Sequence, residues 1–292
     1  MSTLVNVNGT LGSEEDLLLS PLDQGFLFGA SVYETIRTYG GRPFLLGRHL
    51  KRLRESARSL DIRLDTTDEE LALRIGETVT AAKNPESSIR IVVSAGIGTI
   101  DYRAGSTSRP TVVIVVRPLP DYPESLYREG ARAVFVPWMR ANPGGLDPRI
   151  KSSNLLTNLI AFREAHQKNA YEALMRNAAG DVAEGSMSNV FIVRSGVIRT
   201  PPLSAGILEG ITRELLIGVA RDAGYKVEEE AFRPEELLRA NEVFITASAR
   251  QIVPIVQVDD TIIGNGMPGP VTRSLIGHYR KKVLALTKQE RG

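Results

Sequence analysis

There is no cysteine in this sequence. Disulfide scaffolding, cysteine-ligated metal and thiol catalysis are therefore excluded, and a reducing compartment is the expected setting. Histidine is scarce: His49, His166 and His278 are scattered, with no second metal-type ligand at a useful spacing. Each is expected at the surface or in packing, not at a metal. No charge sign dominates. Lys and Arg total 36 against 34 Asp and Glu, for a net charge of +2, too small a field to favour nucleic acid or a membrane surface. The longest aliphatic run, Val112 to Val116, falls far short of the ~20 residues that cross a bilayer. The first twenty residues carry Glu14, Glu15 and Asp16 and lack the basic start and continuous apolar stretch of a secretory signal. A soluble, cytoplasmic protein is expected. Also missing are H-E-x-x-H, a Walker loop and a Gly-x-Ser-x-Gly elbow, so metal hydrolysis, phosphoryl transfer and the commonest serine-esterase plan lack support.

What is present is an ordinary globular composition, 42% apolar and 24% charged over 292 residues, a length comfortable for two domains. Leu46, Leu50, Leu53, Ala57 and Leu60 form one apolar stripe, predicting a helix over about 45–60. Arg48 lies about 200° around that helix from Leu46, which on periodicity alone makes it a solvated surface charge. A second helix is expected over 68–82, stopped by Asn84-Pro85. Ile89 to Val93 and Thr111 to Val116 read as antiparallel strand neighbours joined by a long loop. Gly96-Ile-Gly98 lacks the third glycine and the following helix of a dinucleotide loop. Pro118, Pro120 and Pro123 mark a linker. The expected division is a smaller domain over 1–118, a linker over 119–128 and a larger domain over 129–292. In the latter, strands are expected at 131–136, 172–177, 188–193 and 242–247. Helices are expected at 153–168, 211–223, 234–240 and from 271 to about 286, with Gly224 ending the second of them.

The chemistry centres on Lys151. Arg149-Ile-Lys151-Ser-Ser-Asn154 follows a Pro/Gly-rich approach and precedes an apolar helix that Ser152 or Ser153 is expected to cap. A lysine beside the positive end of a helix dipole suits a nucleophilic, Schiff-base-forming amine. Glu184 stands just before the apolar strand Val190 to Val193, where a carboxylate could partner a pyridinium nitrogen. Gly206-Ile-Leu-Glu-Gly-Ile-Thr212-Arg213 opens an amphipathic helix whose first N–H groups, with the Thr212 hydroxyl, would suit a phosphate. Taken singly, the three read as an exposed lysine beside a turn, a surface acid and a cap residue.

Taken together and in order, these segments resemble the class IV aminotransferase family, which includes branched-chain amino acid aminotransferases, D-amino acid transaminases, R-selective amine transaminases and aminodeoxychorismate lyase. The resemblance runs from about residue 20 to 285. It is carried by Asp23-Gln-Gly-Phe-Leu-Phe-Gly29, Val32-Tyr-Glu34, Ile36-Arg37, Gly47-Arg48-His49-Leu50 with Arg52-Leu53 and Ser56, and Ile150-Lys151-Ser152. Ala183-Glu184-Gly-Ser186 with Ser188-Asn189, the 206–213 segment and Glu242-Val-Phe-Ile-Thr246-Ala-Ser248 complete it. The resemblance implies an α+β, fold type IV chain: a smaller N-terminal α/β sandwich and a larger C-terminal, pseudo-barrel-like α/β domain, at least a homodimer, with the active site between the domains.

The implied cofactor is pyridoxal 5'-phosphate. Lys151 would hold it and shuttle the proton at the substrate Cα. Glu184 would face the ring nitrogen, and Arg48, the N–H groups of Ile211 and Thr212, and Ser248 would take the phosphate. Tyr33, Arg90, Arg103 and Ala249 would line the substrate pocket. Some features depart from individual branches. Leucines follow the lysine where branched-chain enzymes usually place a tyrosine, and Ser94-Ala95-Gly96 lacks the arginine of D-amino acid transaminases. Arg90 matches a carboxylate-side arginine of the branched-chain enzymes, and Tyr33-Glu34 points the same way. The expected reaction exchanges an amino group between a branched-chain L-amino acid and a 2-oxo acid such as 2-oxoglutarate. The alternatives are a D-amino acid or R-amine donor, an aminodeoxychorismate-type lyase and, remotely, a cofactor-free binding protein.

Overall fold

The computed structural model describes residues 2–100, 109–140 and 145–289. Arg103 lies outside the described residues. The chain folds into two compact units, one of 1–120 with 150–154, the other of 121–149 with 155–292.

The elements of the first unit are β1 (Leu4–Val7), β2 (Thr10–Gly12), α1 (Gln24–Phe28), β3 (Ser31–Tyr39), β4 (Arg42–Pro43), α2 (Leu46–Ser59), α3 (Asp68–Ala82), β5 (Ser87–Ser94) and β6 (Thr111–Pro118). Among the described residues they make a six-stranded sheet in the order β2-β1-β6-β5-β3-β4. β5 and β6 are antiparallel neighbours from Ser87↔Pro118 to Ser94↔Thr111, as their matched β-branched runs predict. Alternation gives the sheet two faces. Val32 and Ile36 of β3, Ile89, Ile91 and Val93 of β5, and Val112, Ile114 and Val116 of β6 pack in one core with Leu50, Leu53 and Ala57 of α2 and Leu71, Ile75 and Val79 of α3. Tyr33, Arg37, Arg90 and Val92 fall on the alternate positions. Gly96 has φ +92°, and a side chain there would run into the Arg109 carbonyl. Its role is a tight backbone crossing after β5, not a nucleotide loop.

The pentapeptide 150–154 belongs to this unit, although it stands in the stretch 129–292 that composition assigns to the larger domain. Its backbone is the reason. Tyr33 N–H donates to the Lys151 carbonyl and Ser153 N–H to the Ser31 carbonyl, both at 2.9 Å. Val32 and Ser152 form an antiparallel bridge, and Ile150 packs against the unit's core.

The second unit contains α4 (Glu124–Glu129), β7 (Ala131–Met139), α5 (Leu156–Gln167), β8 (Glu172–Arg176), β9 (Val182–Gly185), β10 (Asn189–Arg194), β11 (Val197–Thr200), α6 (Ile211–Asp222), β12 (Val227–Glu229), α7 (Pro234–Leu238), β13 (Glu242–Ala247), β14 (Gln251–Val258), β15 (Thr261–Ile262) and α8 (Pro270–Gln289). The strands form one curled sheet in the order β12-β11-β10-β13-β14-β7-β8-β9, with β15 on β14. Pairing is parallel for β14–β7, β7–β8 and β11–β12. Val190, Ile192, Val243, Ile245, Val253 and Ile255 supply the central core, while Ala161 and Ala165 of α5 pack on Val134, Val136 and Ala173. Ala223 caps α6, and Gly224 follows at φ +84°, the left-handed stop that a glycine there predicts.

α5 corrects one expectation. It starts at Leu156 with Leu155 as its N-cap and no side-chain cap, not at Ser152 or Ser153. The N–H groups of those serines are committed elsewhere, Ser152 to the Ile150 carbonyl and Ser153 to Ser31. Lys151 is therefore not at a helix N-terminus, and the dipole argument does not apply to it. Among the described residues no helix is long and apolar enough to cross a membrane.

Candidate active site

In the first unit the structure brings three of the expected residues together. The ring of Tyr33 carries Arg90 Cζ at 4.0 Å and Lys151 Nζ at 4.4 Å from its centroid, and Lys151 Nζ donates to the phenol oxygen at 3.4 Å. Strand register explains it. Tyr33 pairs with Val92 and Thr35 with Arg90, so Tyr33 and Arg90 are diagonal neighbours on the sheet face opposite α2 and α3. The bridge at Val32 then sets Lys151 beside them. Two basic groups held against one electron-rich ring make a place where an anion is welcome.

Behind Lys151 lies a charged cluster whose roles sequence reasoning missed. Glu34 is fully buried on the core face of β3. Arg52 donates to it twice, Nε to Oε1 at 2.6 Å and Nη2 to Oε2 at 2.8 Å, and His49 Nδ1 sits 2.7 Å from Oε2. Burial pushes the Glu34 carboxyl up, but the Arg52 charge and the bonds from His49 and Arg52 outweigh it and hold it at about 2. Burial pushes His49 down, against the pull of Glu34. Ser56, one turn further along α2, accepts the backbone N–H of Lys151 at 3.1 Å. The signal for this cluster was the spacing of His49, Arg52 and Ser56, three and then four residues apart on one helix face. Arg48, the arginine expected to take a phosphate, is exposed in the first turn of α2, as its place off the apolar stripe predicts.

In the second unit the Glu184 carboxylate is buried and receives three donors from separate segments. They are Arg140 Nε just beyond β7, Asn189 Nδ2 at 3.1 Å and the Leu208 backbone N–H at 3.0 Å. The loop between Glu184 and Asn189 is held from below by Glu172, which is completely buried. Glu172 accepts from Ser186 Oγ, from Ser186 N–H at 3.1 Å, from Ser188 Oγ at 2.9 Å and from Arg250 at 2.9 Å. After Leu208 the chain turns through Gly210 into α6, whose first turn carries Ile211 and Thr212, both buried. Its N-cap is Gly210, which makes no side-chain cap bond. Arg213, in the same motif, is structural: it donates to Pro201 O and Glu229. Ser248 and Ala249 sit half-buried in the turn after β13, two and three residues beyond Thr246, the cross-strand partner of Asn189.

The family model described as "Amino-transferase class IV" matches residues 31–258. The chain belongs to the class IV aminotransferase family. Among its relatives, a Methanocaldococcus jannaschii protein, whose own naming as a branched-chain-amino-acid aminotransferase is provisional, is 36% identical over 271 residues, 93% of each chain. A D-alanine aminotransferase of Bacillus licheniformis is 32% identical over 283 residues, 96% of this chain and 97% of that one. The aminodeoxychorismate lyase of Bacillus subtilis is 33% identical over 291 residues, 99% and 98% of the two chains. The solved branched-chain amino acid aminotransferase of Thermobaculum terrenum, in its PLP form, matches at a TM-score of 0.87 and 29% identity, covering 97% of this chain and 94% of that one. The class IV transaminase is thus of fold type IV, as the order of its motifs implies.

The residues present fit a phosphorylated pyridine aldehyde. The first unit offers an amine, Lys151. The second offers a buried carboxylate, Glu184, and a twelve-residue helix whose N-cap, Gly210, brings no side chain to its first-turn N–H groups, the donor type that a phosphate takes.

Proposed function

We propose that this class IV transaminase uses pyridoxal 5'-phosphate to exchange an amino group between a branched-chain L-amino acid and a 2-oxo acid such as 2-oxoglutarate. The cofactor supplies an aldehyde that condenses with amines and a ring that withdraws electrons from the substrate Cα. Lys151 Nζ would hold it and would remove and return the proton at the substrate Cα. Glu184 faces the ring nitrogen. Ile211 N–H, Thr212 and Ser248 take the phosphate. The cation for the phosphate comes from α2. We place it at Arg48, exposed in the first turn of that helix, while Arg52, one turn on, binds Glu34. Tyr33 orients Lys151 through its ring and hydroxyl, and Ala249 borders the substrate. Arg90 receives a substrate carboxylate.

The observation that carries this reading is the packing of Lys151 and Arg90 on the one ring of Tyr33. It sets an amine and a guanidinium on one aromatic ring, the two groups that the reading gives to the aldehyde and to the substrate carboxylate. Two copies of the chain would associate through apolar residues near α1. Leu18, 87% exposed, and Phe26, 78% exposed, are the apolar side chains offered to a second copy. The expected setting is a reducing cytoplasm.

The test is a panel of L-amino acids, D-amino acids and R-amines, read as conversion of the cofactor to its amine form by donor alone. Lys151→Ala is expected to abolish turnover with the fold intact, and borohydride should fix the pyridoxyl group on Lys151. The D-alanine aminotransferase and aminodeoxychorismate lyase relatives support a second reading. Conversion by D-alanine alone would favour the first of these, and pyruvate release from aminodeoxychorismate without an acceptor the second.

A further inference from the structure

Asn189 has no role in the scheme above, yet its side chain touches both halves of the cofactor-facing surface of the second unit. Its Nδ2 donates to Glu184 Oε2 at 3.1 Å and to the Leu208 carbonyl at 3.0 Å. The Leu208 N–H returns to the same Glu184 oxygen at 3.0 Å. The three groups close a small ring of hydrogen bonds, buried because Asn189 and Glu184 are each about 5% exposed. The other end of the amide is engaged as well. Gly210 has an ordinary extended backbone, φ −74° and ψ 127°, so no conformational need selects glycine there. A side chain at 210 would instead overlap Asn189 Oδ1. The amide is therefore wedged between the Glu184 carboxylate and the turn that delivers Ile211 and Thr212.

We propose that Asn189 is a positioning residue that locks the Glu184 carboxylate and the 208–210 turn into one rigid piece. The ring-nitrogen partner and the phosphate-binding helix start are then held at a fixed separation before the cofactor arrives. This rests on the assignment of Glu184 and α6 to pyridoxal phosphate. Side-chain amides suit the task. One Nδ2 supplies two N–H bonds, so a single planar group serves both acceptors, while aspartate would place a second carboxylate against Glu184. Preorganisation of this kind lowers the ordering cost of binding, and its loss should appear in affinity before any turnover.

The test measures cofactor binding to apoprotein by fluorescence and the ¹⁵N resonance of ring-labelled pyridoxal phosphate. Asn189→Ala removes two buried hydrogen bonds, one to a carboxylate, and is expected to weaken binding about ten-fold and to move the resonance towards that of an unprotonated ring. Gly210→Ala changes no hydrogen-bonding group. It is expected to do the same by pushing the amide aside. In Asn189→Ala, where the amide is gone, Gly210→Ala should cost nothing further. Wild-type affinity and resonance in either single variant would overturn the proposal, as would a Gly210→Ala loss that persists undiminished in the double variant. Should Asn189→Ala fail to fold, Gly210→Ala alone decides. Failure of the wild-type apoprotein to take up pyridoxal phosphate at Lys151 would instead sink the functional reading.

Discussion

Tyr33 and Lys151 hold each other twice. The Tyr33 backbone N–H donates to the Lys151 carbonyl at 2.9 Å, while Lys151 Nζ lies on the Tyr33 ring and 3.4 Å from its hydroxyl. Main chain and side chain thus fix the amine from one strand residue. Tyr33→Phe keeps the ring and the backbone bond and removes only the hydroxyl. We expect kcat to fall about three- to ten-fold, the worth of one hydrogen bond, with substrate KM little changed. Single-turnover measurements of the amine half-reaction check this, and an unchanged kcat would mean the hydroxyl is idle.

The cluster behind Lys151 sets the response to acid. His49 is buried with its pKa held below the ordinary 6.5. The unfolded chain therefore takes up its proton before the folded one does, and stability falls as pH drops below about 6.5. Glu34, depressed from 4.5 to about 2, contributes stability that is present above pH 4.5 and is lost as pH falls towards 2. His49→Gln should flatten the part of this slope that begins below about pH 6.5, while the part due to Glu34, held down mainly by Arg52, persists. Urea midpoints measured across that range decide it.

Arg48 and Arg52 stand one turn apart on α2. Arg52 is spent on the buried Glu34 carboxylate, whereas Arg48 is exposed. We expect Arg48→Ala to weaken pyridoxal phosphate at least ten-fold relative to unphosphorylated pyridoxal. Arg52→Ala strands a buried carboxylate instead. It should lower the urea midpoint of the first unit and weaken both aldehydes alike. Comparing the two aldehydes on apoprotein isolates the phosphate contribution, and a larger change of their ratio at Arg52 would reverse the assignment.

Glu172 is buried among serine donors and the Arg250 guanidinium. Glu172→Ala leaves that guanidinium buried and unpaired, a lesion of about 3–5 kcal/mol. The urea midpoint of the second unit should fall accordingly. Adding Arg250→Met should recover part of the loss, because removing both charges is gentler than removing one. A double variant no more stable than Glu172→Ala would contradict this account.

Where apolar periodicity and local stops agree, the chain was legible. α3 and β13 have the bounds their patterns predict, 68–82 and 242–247, and the Glu184 loop and the start of α6 stand where their motifs suggest. β3 was not legible because its core-facing positions include Glu34 and Thr38 among Val32 and Ile36. That mixture hides the alternation, and the reason is the buried charge cluster itself. β14 was hidden by Pro254, which a central strand rarely admits. It is tolerated here since the parallel pairing with β7 begins one residue later, at Ile255↔Ala131. The start of α5 was misread because Ser152 and Ser153 look like caps, while the backbone bonds of 150–154, among them that of Ser153 to β3, claim them first. No local pattern announces a partner more than a hundred residues away.

The return of 150–154 to the first unit bears on recombination between relatives. A chimera spliced only at the 120/121 junction would seat this chain's lysine on a strand and a serine from another parent. Exchanging the pentapeptide together with residues 1–120 keeps Ser31, Tyr33 and Ser56 with the backbone they bind. Swaps of N-terminal segments should therefore tolerate a foreign second unit best when the donor's own 150–154 stretch travels with them.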